Sequence, residues 1–147
     1  MNAQKEKLMN PKKIRENPKL LPQLQYIEKV EKSNQTMIGL ELNDNHYLLV
    51  EGSFTLYTSQ QKIVDSKTYT DSNFSPTILQ KIQSLLEKQP LKSAYFSEDD
   101  GTLVLELSNG LCFSSFYGEN DYESWELMQN GNAQYGSECG TIIHYLL

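Results

Sequence analysis

The stretch that decides the fold runs from Lys92 to Met128, KSAYFSEDDGTLVLELSNGLCFSSFYGENDYESWELM. Leucines occupy every second position from Leu103 to Leu107, which is typical of a strand with one buried face. Asp100-Gly101 and Asn109-Gly110 are dipeptides that supply the positive φ angles of tight hairpin turns. The stretch therefore predicts a β-meander with strands near residues 91–98, 102–108 and 111–117.

A second meander is predicted earlier in the chain. Asn43-Asp44-Asn45 is a turn-forming triplet between two apolar runs, so a hairpin is expected there. The charges that interrupt Tyr26–Ser33 favour an edge strand protected by charge. The predicted strands of this part are Tyr26–Ser33, Thr36–Leu42, His46–Glu51, Ser53–Tyr57 and Lys62–Tyr69.

The two meanders share a local pattern about 65 residues apart. Leu40-Glu41-Leu42-Asn43-Asp44 and Leu105-Glu106-Leu107-Ser108-Asn109 each end a strand and enter a turn. A duplicated unit is one interpretation. Chance is the favoured one, because five positions of strand and turn chemistry recur easily.

One helix is predicted from Pro76 to about Lys88. Ser75 is a good N-cap, and proline is well tolerated at the first helical position. The apolar residues inside the helix fall on one stripe, which needs a sheet face to cover it. The sequence thus predicts an α+β fold, an antiparallel sheet of two β-meanders with one main amphipathic helix packed on one face. The stripe consists of Ile78, Leu79, Ile82, Leu85 and Leu86.

The two ends of the chain differ in character. Residues 1–22 are basic and contain three prolines, which predicts an N-terminal arm; its first ten residues are expected to be a solvated tail, although the arm could also lie across the acidic face. Residues 23–147 are predicted to form a single domain. After Met128, loops are expected over 129–133 and between Gly136 and Gly140, followed by a final strand over 141–147.

Charge is unevenly distributed along the 147 residues, whose net charge is −6. Residues 1–92 carry all 13 Lys and Arg and ten acids, whereas residues 93–147 carry nine acids and no Lys or Arg. The acidic half needs ions, the N-terminal part or a basic partner to balance its field; a solvated acidic face is the alternative. This balance disfavours nucleic-acid binding. Without a signal peptide or an apolar membrane span, the chain is expected to be cytoplasmic and not membrane-bound.

Catalytic and metal-binding patterns are lacking in the sequence. His46 and His144 lie in no metal or triad motif, and strand geometry puts Cys139 and His144 on opposite faces. Cys112 and Cys139 have no zinc-ligand spacing and are expected to be free thiols, with a bridge between them as the alternative if their strands lie adjacent. A calcium site at Glu98-Asp99-Asp100 is disfavoured, because the run is equally a hairpin turn. We therefore predict a protein that is not an enzyme and that uses no metal or cofactor.

Carboxylates surround aromatic rings in the deciding stretch, and this cluster is the predicted partner-binding site. Binders of basic proteins use carboxylates to steer encounter and rings as desolvated anchors. Trp125 itself is interpreted as a core residue, with an interface position as the alternative. The predicted site residues are Glu98, Asp99, Asp100, Glu119, Asp121, Tyr122, Glu123 and Glu126.

The same residues resemble a family of small uncharacterised bacterial domains with an acidic-Tyr-Glu-x-Trp-Glu-Leu signature. Asp121-Tyr122-Glu123-Ser124-Trp125-Glu126-Leu127 is similar to that signature, and Glu51-Gly52-Ser53-Phe54 resembles the family's earlier Glu-Gly-x-Phe strand. The resemblance covers roughly residues 24–128. Such domains resemble immunity proteins that neutralise secreted polymorphic toxins, so the resemblance implies a cognate toxin domain, such as a basic nuclease, as partner. The alternative is a small-molecule or peptide sensor with a pocket between helix 76–88 and the sheet.

Overall fold

The computed structural model describes residues 18–33, 37–73, 75–118 and 123–145. These ranges form a mostly antiparallel, sheet-rich mixed fold with two helices. The helices are α1 (Ser66–Asp71) and α2 (Pro76–Leu86), and a short 3-10 turn spans Asn43–Asn45. The strands are β1 (Pro18–Leu20), β2 (Tyr26–Lys32), β3 (Ile38–Leu42), β4 (His46–Val50), β5 (Ser53–Tyr57), β6 (Lys62–Asp65), β7 (Gln89–Ser97), β8 (Leu103–Leu107), β9 (Cys112–Phe116), β10 (Glu123–Gln129), β11 (Asn132–Glu138) and β12 (Thr141–His144).

The three strands predicted in the deciding stretch are confirmed as β7, β8 and β9. Gly101 and Gly110 have φ angles of 75° and 91°, so both hairpin turns use the glycine that the sequence supplies. The strands are joined in one sheet with the order β12-β11-β10-β4-β3-β2-β7-β8-β9-β5-β6, and β1 pairs with β7. The two predicted meanders are thus parts of one continuous sheet, connected where β2 meets β7.

Two predictions in the first half of the chain need correction. The edge strand predicted over residues 26–33 is an edge only in part, because β2 pairs with β3 along its length but also with β7 at Tyr26 and Ile27. The strand predicted to reach Tyr69 ends at Asp65. The Asp65 carboxylate accepts a hydrogen bond from the Thr68 amide at 2.8 Å, and this N-cap starts α1.

The loops predicted after Met128 are too long, since only Asn130-Gly131 and Cys139-Gly140 are turns and Asn132–Glu138 forms β11. This strand pairs with β10 on one side and with β12 on the other. Its Asn, Gln, Gly and Ser residues show no apolar alternation, so the sequence signal was that of a loop. Only the pairing with two neighbours identifies it as a strand.

The sheet folds back on itself around one main core. Phe96 on β7 packs against Trp125 on β10, with ring centroids 5.7 Å apart, and against Tyr135 on β11 at 5.1 Å. Strands distant in the sheet order therefore face each other across the core. The buried part of the arm also belongs to this core, since Leu21 is buried there and Pro18–Leu20 pairs with β7.

Helix α2 closes the edge that β2 leaves open. Beyond Ile27, β2 has no pairing with β7, and side chains of α2 and its C-cap replace a strand partner there. The amide of Gln83 donates to the Val30 carbonyl at 2.9 Å, and Glu87 accepts from the Val30 amide at 2.9 Å. Ile82 is fully buried in the main core. The predicted apolar stripe of the helix thus packs against the sheet.

Two successive runs of strands, β2–β3–β4 and β7–β8–β9, have the same register. Ile27 pairs with Leu42 in the first run, and Leu91 pairs with Leu107 in the second. In both runs a β-bulge follows directly after this pair. The Leu-Glu-Leu runs that end at Leu42 and Leu107 occupy equivalent positions. The structure therefore favours a duplicated unit over the chance recurrence preferred from the sequence.

The strand that follows each repeat, β5 after the first and β10 after the second, pairs with the other repeat. β5 pairs with β9 of the second repeat, where Phe54 faces Ser115, and β10 pairs with β4 of the first repeat, where Trp125 faces Val50. β6 then pairs with β5, and β11 with β10, again with a bulge at the matching position. The approximate two-fold axis passes near the pair of Tyr26 and Pro90, where β2 meets β7. Neither repeat is complete without a strand from the other.

Candidate functional site

The predicted site residues that the structure describes gather at one end of the sheet. At this end β4, β7, β9 and β11 finish, and β5, β8, β10 and β12 begin. Glu98, Asp99 and Asp100 form the turn between β7 and β8, and Glu123 and Glu126 lie on β10. The remaining predicted site residues, Glu119, Asp121 and Tyr122, lie outside the described residues.

Of the three acidic residues in the β7–β8 turn, one forms a hydrogen bond within the turn and two are exposed to solvent. The Asp100 carboxylate accepts a hydrogen bond from the Thr102 amide at 3.0 Å, so it holds the hairpin in place. Glu98 and Asp99 are exposed. A Cβ at Gly101 would clash with the Gly140 carbonyl, which shows how closely this turn approaches the turn between β11 and β12.

Trp125 is a core residue, as the favoured interpretation predicted. Its side chain is 1% exposed, and its indole N–H donates to the Gly101 carbonyl at 2.8 Å. This hydrogen bond ties the β7–β8 turn to β10, because a buried indole N–H needs an acceptor. Trp125 therefore positions the acidic residues on both elements and does not itself reach a partner.

Glu98 also contacts the last strand. His144 on β12 places its Nε2 atom 3.1 Å from the Glu98 carboxylate. The imidazole ring packs edge-on against Tyr135, with centroids 5.4 Å apart. The second histidine, His46, is buried and lies 2.9 Å from the Asn43 carbonyl. In the contacts of the described residues, neither histidine lies beside a nucleophile.

Two further carboxylates, Glu51 and Glu138, join Glu123 and Glu126, and sequence reasoning missed both. Glu51 follows β4, and its amide donates to the Ser124 carbonyl at 2.9 Å, which brings it beside β10. Glu138 pairs directly with Glu123 across β10 and β11. The sequence could not place Glu138, because β11 was predicted to be a loop. Glu51 was noted only within the Glu-Gly-x-Phe run.

Two of these four carboxyl groups, Glu51 and Glu126, have raised pKa values. Burial raises the pKa of Glu51 to about 8, with a hydrogen bond to Glu123 and the charges of Glu123, Glu126 and Glu138 acting in the same direction. Burial, followed by the charges of Glu123 and Glu138, also raises the pKa of Glu126. Near neutral pH, Glu51 therefore keeps its proton, which it can donate in the hydrogen bond to Glu123.

Exposed aromatic rings lie beside these acids. The Tyr145 ring packs over Gly136, where an added Cβ would come within 3.4 Å of it, and Tyr145 borders a shallow depression. The depression is lined by Glu51, Glu123, Glu126 and Glu138. Tyr117 is 41% exposed and contacts Gly140 at the same end. Among the described residues at this end, the exposed rings are thus Tyr117 and Tyr145.

We call this region the acidic end. Within the described ranges, no group of three or more His, Cys, Asp or Glu side chains has the arrangement of a metal site. Cys112 and Cys139 are free thiols. No helix in the described part of the chain is long and apolar enough to cross a membrane. The acidic end comprises the carboxylates of Glu51, Glu98, Asp99, Asp100, Glu123, Glu126 and Glu138 with the rings of Tyr117 and Tyr145.

Comparison with known proteins gives no match: no protein-family model, curated protein or solved structure is significantly similar to this chain. The resemblance to immunity-type domains, which rests on the motif residues, therefore stays a prediction.

Proposed function

We propose that the protein is a cytoplasmic immunity protein that binds a cognate secreted toxin domain through the acidic end and blocks it by occlusion. One observation carries the proposal: seven Asp and Glu side chains, one of them the protonated Glu51, meet at one end of a fold whose residues 93–147 contain no Lys or Arg. Such a surface attracts a basic partner and steers its approach. Tyr117 and Tyr145 supply ring surface of the kind that anchors interfaces.

The mechanism is electrostatic mimicry. Carboxylates of the acidic end take the place of nucleic-acid phosphates in the basic cleft of a nuclease-type toxin, so substrate cannot enter. No catalytic group is needed for this inhibition. Association should be fast and should weaken as salt screens the charges.

The test pairs the protein with the toxin domain encoded by the gene directly upstream, where a toxin gene is expected. We expect Glu98→Gln, Asp99→Asn and Glu126→Gln combined to weaken binding in calorimetry, with a loss of roughly 2–5 kcal/mol for each desolvated charge pair. Asp100 is left unchanged because it holds the hairpin. The salt dependence of affinity should also become weaker.

The control variant removes three negative charges far from the acidic end, through Glu28→Gln, Glu41→Gln and Asp71→Asn. It should bind with nearly the wild-type affinity. Equal losses in the two triple variants would mean that only total charge matters. Unchanged affinity in the acidic-end variant would move the binding surface elsewhere and refute the proposal.

A further inference from the structure

Three of the described strands, β1, β6 and β12, pair with a neighbouring strand on one side only, and they differ in how the other edge is protected. The free edge of β1 carries Pro18 and Lys19. The free edge of β6 carries Lys62 and Asp65, which form an ion pair. Proline and charged side chains on an edge strand discourage further pairing. β12, with the sequence Thr-Ile-Ile-His, contains neither a proline nor a charged Lys, Arg, Asp or Glu.

The pairing of β12 with β11 shows which of its backbone groups face outward. The Tyr145 amide donates to the Gln134 carbonyl at 3.1 Å. Antiparallel partners alternate between bonded and non-bonded pairs, so every second residue of β12 turns its backbone groups away from β11. These residues are Ile142 and His144. Among the described residues, none forms a backbone hydrogen bond with their outward N–H and C=O groups.

The two faces beside this edge differ in chemistry. Ile142 lies in the main core, and the His144 side chain on the same face contacts the Glu98 carboxylate at 3.1 Å. On the opposite face, Ile143 is half-buried and Tyr145 is 37% exposed. Side chains of a strand added at this edge would alternate between the two faces. They would therefore meet an acid on one face and an apolar surface on the other.

The charge around the edge selects the occupant. Glu98 contacts β12 through His144, and Glu138 is the cross-strand partner of Thr141. Residues 93–147 contain no Lys or Arg that could balance these acids. A second copy of the chain, with its net charge of −6, would bring two acidic ends together at this edge and be repelled. A strand with Lys or Arg side chains would instead be attracted.

We propose that the open edge of β12 is a site of β-augmentation, at which an extended basic segment of the partner protein pairs with Ile142 and His144. The segment alternates basic residues, which face Glu98, with apolar residues, which cover Ile143 and Tyr145. Backbone hydrogen bonds supply affinity, and the alternating side chains supply specificity. The inference rests on the proposed function for the partner, a toxin domain, and adds the backbone contact by which the acidic end holds it.

Proline substitution tests the backbone contact, with the toxin domain encoded directly upstream as the partner. His144→Pro removes one outward N–H of β12 and leaves the hydrogen bonds to β11 intact. His144→Ala also removes the contact with Glu98 but keeps the N–H. We expect the proline variant to bind at least about tenfold more weakly than the alanine variant in calorimetry, because the proline ring also obstructs an added strand.

Hydrogen exchange followed by NMR needs no substitution. In the complex, the amides of Ile142 and His144 should exchange at least about tenfold more slowly than in the free protein, because they gain carbonyl acceptors. The Lys62 amide is the control. It points away from β5 on the protected edge of β6, and its exchange rate should be the same in both states. This measurement decides the matter even if the proline variant does not fold.

The outcomes separate this inference from the proposed function. If the toxin domain does not bind, both are refuted. If it binds and the acidic-end variant weakens binding, either equal affinities of the two folded His144 variants or unprotected Ile142 and His144 amides would overturn the inference alone. Light scattering of the protein without a partner tests the second copy. A dimer that His144→Pro converts to a monomer would mean that this edge pairs with itself, and the proposed basic occupant would be wrong.

Discussion

Glu51 shows how one residue acquires unusual chemistry from its neighbours. Its own sequence context, after a strand and before Gly52, is that of an ordinary turn residue. The fold places it beside β10, where burial and three other carboxylates oppose its ionisation. The group therefore titrates in the range in which most glutamates are already charged.

We expect Glu51 to make stability depend on pH. Its pKa of about 8 in the folded state exceeds the ordinary value of 4.5, so between these pH values the folded chain holds a proton that the unfolded chain has lost. Stability should therefore fall as pH rises from about 5 to 8. Glu51→Gln should flatten this decline in urea unfolding at a series of pH values, whereas Asp99→Asn should not. Parallel profiles for wild type and Glu51→Gln would contradict the assignment.

At the scale of elements, α2 stabilises the sheet in two ways. Its apolar stripe enters the main core, and Gln83 and Glu87 bond to the backbone of Val30 where β2 has no strand neighbour. An isolated helix of this length would be marginal in water, so its stability comes from this packing. The helix therefore both covers one face of the sheet and bonds to the edge of β2.

Ile82→Ala should destabilise the protein by about 2–4 kcal/mol, because a fully buried side chain is lost and a cavity remains. Gln80→Ala on the exposed side of the same helix is the control, and it should change the free energy of unfolding by less than about 0.5 kcal/mol. Urea unfolding measures both. A small effect of Ile82→Ala would show that the helix is not docked.

At the scale of the whole molecule, exchange of β5 and β10 links the two repeats. Each repeat's sheet contains a strand of the other, and one core receives side chains from both. Separation of the repeats would break backbone pairing in three places, between β2 and β7, between β4 and β10 and between β5 and β9. The chain should therefore behave as a single cooperative unit.

This predicts one unfolding transition. Trp125 reports on β10 and the core around it, while far-UV circular dichroism reports on all strands. Both signals should give the same midpoint and slope in urea, as two-state unfolding requires. Phe54→Ala should shift both midpoints equally, because Phe54 lies on the exchanged strand of the first repeat. Distinct midpoints would show that the repeats unfold separately.

Some secondary-structure elements of this protein follow from local sequence signals alone. The sequence predicted β7, β8, β9 and α2, because their signals act within a few residues. These signals are the Asp-Gly and Asn-Gly turns, the alternating leucines and the Ser75-Pro76 helix start. The segregation of charge likewise located the acidic half. β11, with its Asn, Gly and Ser residues, carries no such signal, and its neighbours alone make it a strand.

The tertiary structure decided the rest, because the remaining features depend on contacts between distant residues. Glu51 and Glu138 lie at the acidic end because β10 pairs with β4 and with β11. The repeat was visible in the sequence only as two Leu-Glu-Leu runs, since equivalent positions elsewhere hold different residues in the two halves, such as Gly39 and Val104. Two strands can keep the same pairing register and the same buried face with different side chains. The duplication is therefore visible in the backbone pairing although the two sequences differ.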